Sequence, residues 1–142
     1  MRERPQARAL PLLGLLVGLW AIIPPYVVVF GALQVDATVE VVDHVVPGVA
    51  VIAMAALAAL LLRTAEPSQL LLLVAGGVIA LAGFWMLSTH AGLISQARQG
   101  IVPGGAVLWH GLPGIAVFVL GGLWSARFWS TADDAVPGPP GE

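Results

Sequence analysis

The chain has 142 residues, of which 58% are hydrophobic and only 10% charged, with a net charge of −2 and no cysteine. A soluble domain carries roughly 25% charged residues, so a chain this poor in charge lacks the polar surface to face water on all sides. The absence of cysteine excludes disulfides, thiolate metal sites and Cys-linked haem, and the absence of a basic patch argues against a nucleic-acid partner.

Four long stretches contain no Asp, Glu, Lys or Arg: 9–35, 45–62, 67–97 and 99–126. A bilayer core takes about 20 apolar helical residues to cross. The expected fold is therefore an all-α membrane protein of four transmembrane helices, at 9–30, 45–62, 70–88 and 110–129. Runs such as Leu70-Leu71-Leu72-Leu73-Val74 do not alternate polar and apolar residues, which argues against a β-barrel.

Arg2, Arg4 and Arg8 precede the first stretch, which is longer than the roughly 7–15 residues of a signal-peptide core and reads as a retained anchor. Pro24-Pro25 lies two-thirds of the way along it and is expected to kink or end the helix. The segment 33–44 then sets Val35, Val39 and Val42 against Asp36, Glu40 and Asp43, a pattern that suits a short amphipathic surface helix, with a strand as the alternative. Pro47 and Pro113 are read as helix-start devices of the second and fourth spans. Residues 91–105, the matching outer segment of the second half, set Leu93, Ile94, Ala97 and Ile101 against Ser95, Arg98 and Gln99 and are not expected to be plain coil. The tail 130–142, rich in Pro, Gly and Asp, is expected to be disordered, which leaves 1–129 as a single membrane domain. Five of the six arginines (Arg2, Arg4, Arg8, Arg63 and Arg127) fall on one side of such a bundle and Arg98 on the other. That bias places both termini in the cytoplasm and the chain in the cell membrane.

The chain repeats itself. His44-Val-Val-Pro-Gly-Val-Ala-Val recurs as His110-Gly-Leu-Pro-Gly-Ile-Ala-Val, and a Gly-x-Trp stands upstream of each, at Gly18–Trp20 and Gly83–Trp85. Trp20 precedes His44 by 24 positions and Trp85 precedes His110 by 25. An offset near 65 residues marks a duplicated two-helix unit, and two hairpins entering from the same side would be related by a pseudo-two-fold along the membrane normal. Gly14 and Gly18, Gly48 with Ala55 and Ala59, Gly76 with Ala80 and Gly83, and Gly114 with Gly121 and Gly122 are the small residues expected to pack the helices.

The stretch Gly18-Leu19-Trp20-Ala21-Ile22-Ile23-Pro24-Pro25-Tyr26 resembles the signature of the SPW repeat family, small bacterial and archaeal membrane proteins whose repeats end their first helix in a Ser-Pro-Trp tripeptide. The layout matches in both halves, over about residues 10–124. The tripeptide itself departs: copy one has Pro24-Pro25-Tyr26, and copy two, aligned on its tryptophan, has Thr89-His90-Ala91 with no proline. The resemblance implies a two-repeat, four-helix protein of no established activity and supplies no catalytic residues.

The histidines are the candidates for chemistry. His44 and His110 stand at equivalent places near the outer ends of the second and fourth spans, and His90 near the outer end of the third. A pair of imidazoles can ligate a metal or haem iron, with Asp43 as a further ligand or an outer partner. The plainer reading makes them interfacial polar residues. Trp109, Trp124, Trp129 and Tyr26 suit the two aromatic belts, whereas Trp20 and Trp85 are expected to pack between the hairpins. No acidic residue lies within a span and no nucleophile–base arrangement occurs, so the sequence reads as a non-enzymatic accessory or partner-binding subunit without a resident cofactor. Its expected partners are the bilayer and either further copies of itself or another membrane protein. A metal or haem protein using His44 and His110 is the alternative, and a small transporter or channel subunit a further one.

Overall fold

The computed structural model describes residues 5–24, 39 and 41–133, and among them every regular element is helical. Helix α1 spans Pro5–Ile22, α2 spans Val46–Leu61, α3 spans Gln69–Arg98 and α4 spans Gly104–Asp133. A π-helical turn at Val41–Val45 leads into α2 without a break. Three segments, Val41–Leu61, Gln69–Arg98 and Gly104–Trp129, are long and apolar enough to cross a membrane.

The first helix is shorter than its apolar run. It stops at Ile22, immediately before Pro24-Pro25, and its apolar part is Ala9–Ile22. The double proline removes two main-chain donors and clashes with the preceding turn, which is reason enough to stop a helix. Tyr26, Asp36, Glu40 and the remainder of the expected surface helix lie outside the described residues, as do 134–142. The described end of segment 33–44 belongs to the π turn. Pro47 accounts for that turn. Its ring would strike the carbonyl four residues back in an α-helix, and the wider π spacing relieves the clash.

The second half differs from expectation at three places. Helix α3 runs to Arg98, ten residues beyond Ser88, so 91–98 continues the third span and is not part of a separate outer segment. Ser88 donates to the Phe84 and Trp85 carbonyls and Thr89 to Met86, which lets these polar residues continue the helix without orphaned groups. The helix ends at Gly100, whose φ of 71° is the left-handed conformation of a glycine cap, with Ile101 N–H donating to the Gln96 carbonyl. Helix α4 starts at Gly104, so Pro113 is an interior proline and not a start device, and residues 130–133 belong to α4 rather than to a tail.

The helices form a ring in chain order. α1 packs along α2, α2 against α3, α3 most extensively along α4, and α4 returns to α1. Within each hairpin the two helices cross at matching glycines. A Cβ on Gly48 would lie 3.0 Å from the Gly18 carbonyl oxygen, and one on Gly83 would lie 2.9 Å from that of Gly114. Only glycine lets backbones come this close, the packing device of membrane helices. The inner core holds Val51, Leu72, Ile79, Met86, Val117, Trp124 and Phe128. Trp124 is fully buried there and is no belt residue, whereas Trp85, 49% exposed, borders a groove between α2 and α3 that Val46, Pro47 and Ala50 also line. An almost uniformly apolar helix does not reveal which of its faces meets protein and which meets lipid.

Candidate metal centre

Each glycine crossing lies one helical turn from a histidine. His44 precedes Gly48 by four positions and His110 precedes Gly114 by four, so both rings project on the packed side of their helices at the same end of the bundle. Gln69 marks the opposite end, where its amide donates to the Phe128 carbonyl. His90 enters from α3, whose uninterrupted course past Thr89 carries it to the level of the other two.

The three rings meet. His44 is fully buried and His110 is 9% exposed, while His90 is half-buried. His44 Nε2 lies 3.0 Å from His110 Nδ1 and 3.1 Å from His90 Nε2. One nitrogen from each ring falls within 4.8 Å of the others. The His90 and His110 rings lie nearly parallel, at 16° with centroids 5.5 Å apart, and His44 tilts across both by 53–56°.

The backbone sets the protonation pattern of one ring. His90 Nδ1 is 2.7 Å from the Met86 carbonyl, which can only accept, so Nδ1 carries the hydrogen and Nε2 presents a lone pair toward His44. The Thr89 hydroxyl, 3.1 Å from the same Nδ1, braces the ring. The main-chain carbonyl of Ala21 in α1 lies against the His44 ring. Four helices therefore contribute to the centre, three by side chain and one by backbone.

The expected pair is thus a triad. Asp43, considered as a ligand beside His44, is not part of the group. The pairing of His44 with His110 was visible in the repeat, and His90 had been placed in the same layer. What the sequence did not mark is that His90 completes the set, because it has no counterpart in copy one, where Pro25 stands. Rings in mutual contact leave no slot for a porphyrin between them, so the cluster does not suit haem. Three imidazole nitrogens suit a compact first-row divalent cation: Zn–N bonds of about 2.0–2.1 Å in tetrahedral array set ligand nitrogens about 3.3 Å apart. No protein-family model, curated protein or solved structure matches the chain.

Proposed function

We propose that this is a multi-pass membrane protein that holds one divalent transition-metal ion, of the zinc or copper(II) class, on His44, His90 and His110 near the outer face of the bilayer. The observation that carries the reading is the convergence of three imidazole nitrogens within 4.8 Å inside an apolar bundle. Burying two polar rings and half-burying a third in an apolar bundle is costly unless something satisfies them, and imidazole is a preferred ligand for these cations. The Met86 carbonyl fixes one lone pair inward, and the Ala21 carbonyl offers an acceptor for the His44 hydrogen that a cation would displace.

The topology that fits this reading has four spans, with α1 and the segment after it forming the first, and both termini in the cytoplasm with Arg63 and Arg127. The matched glycine crossings, 65 and 66 positions apart along the chain, support internal duplication and the layout of an SPW repeat protein. A second reading makes the triad a clasp that ties α2, α3 and α4 in an accessory subunit, either a homo-oligomer or a partner of another membrane protein. The direct ring-to-ring hydrogen bonds favour it.

Metal analysis of the protein purified in mild detergent separates the two. One equivalent of zinc or copper, lost in the His90→Ala variant, is expected of the metal centre. A metal-free protein that takes up no zinc or copper on titration, yet loses thermal stability in the same variant, supports the clasp.

A further inference from the structure

Between α3 and α4 a cleft of about 180 Å³ reaches His90, one of the three rings. Leu87, Ala91, Ile94 and Ile115 line it, Gly111 stands on its wall, and His90 is its one polar side chain. Its volume falls below the roughly 300–1,000 Å³ of clefts that take drug-sized ligands. Gly111 follows His110 directly, and a Cβ placed there would have no atom within 4 Å, so the wall at this point is open space.

Resting on the metal reading, we infer that the bound cation carries a small monovalent anion as its fourth ligand, seated in this cleft beside His90. Charge supplies the argument. Three neutral imidazoles leave a divalent ion with both its charges, in an apolar setting where uncompensated charge is strongly disfavoured. Among the described residues the group contains no carboxylate to offset it. Sites that keep three protein ligands normally fill the fourth position from outside. The aliphatic lining selects for a weakly hydrated anion, such as azide or thiocyanate, over a strongly hydrated one such as sulfate. Occupancy halves the net charge of the centre and gives His90 two roles, as ligand and as the inner end of the cleft.

The test uses the full chain loaded with cobalt(II), whose visible spectrum reports coordination, titrated with azide. A saturable spectral change with one azide per cobalt is expected. Gly111→Phe fills the cleft and should weaken azide at least tenfold while retaining one cobalt per chain. Ala91→Phe, from the α3 side, provides the same test should Gly111→Phe lose its cobalt. A protein that binds no cobalt overturns the metal reading itself. A normal cobalt spectrum that azide does not move overturns the anion alone, and unchanged azide affinity in cobalt-loaded Gly111→Phe or Ala91→Phe overturns its placement in the cleft.

Discussion

His90 donates from Nδ1 to the carbonyl of Met86, one turn back on its own helix, and thereby turns the lone pair of Nε2 toward His44. A ring locked in this way cannot trade one nitrogen for the other as ligand. His90 is therefore the ring whose inward-facing nitrogen the backbone fixes.

Replacement of any one of His44, His90 or His110 by Gln should lower zinc affinity by more than about 100-fold, since loss of a partner behind a ligand already costs 10–100-fold. Competition with a chromophoric chelator measures this. A variant that keeps full affinity removes its residue from the ligand set.

Acid should release the metal. Protons and the cation compete for the same ring nitrogens, so affinity is highest when all three are neutral and falls as the pH is lowered. Metal retention measured from pH 8 to pH 5 should fall toward the acid end. Retention unchanged across that range would point to ligands other than imidazole.

The glycine crossings can be probed without touching a ligand. Gly83→Ala forces a methyl group against the Phe118 main chain and the Gly114 carbonyl, which should cost about 1–3 kcal/mol and loosen the metal site one turn away. Gly77→Ala, with nothing within 4 Å of the added carbon, should be neutral or slightly stabilising. Thermal unfolding in detergent together with metal affinity provides both readouts, and equal behaviour of the two variants would refute the role of the crossing.

Thr89→Pro restores to the second half the proline that stops α1 in the first. It removes a main-chain donor and clashes with the Trp85 carbonyl, at about 3 kcal/mol or more. The outer part of α3 should swing away and take His90 with it, abolishing metal binding. Thr89→Val, which removes only the hydroxyl, should stay within about tenfold of the parent.

Much of the helical layout was readable because charge-free runs in a chain this apolar have few alternatives. The stop at Ile22 followed from Pro24-Pro25, and Gly18, Gly48, Gly83 and Gly114 were among the small residues expected to pack helices. The length of α3 was not readable: Ser88, Thr89 and the polar positions beyond them resemble a loop, and only their side-chain bonds to carbonyls one turn back show how the helix continues. Trp124 lies in the core and not in the expected belt because lipid and protein core are equally apolar, so composition does not distinguish them. The triad was two-thirds legible. The recurring His-x-x-Pro-Gly pattern marked His44 and His110, whereas His90 gains its meaning only from the path of α3.

The glycine contacts beneath the histidines carry a consequence for ion choice. Where main chain rests on main chain, the separation of two helices is set by incompressible atoms rather than by rotatable side chains, and the mouth one turn above inherits that spacing. Under the metal reading, selection by ionic radius would then be governed from Gly83 and Gly114, whose helices carry His90 and His110. A single added methyl at either of them would act as a shim, retuning the aperture from below.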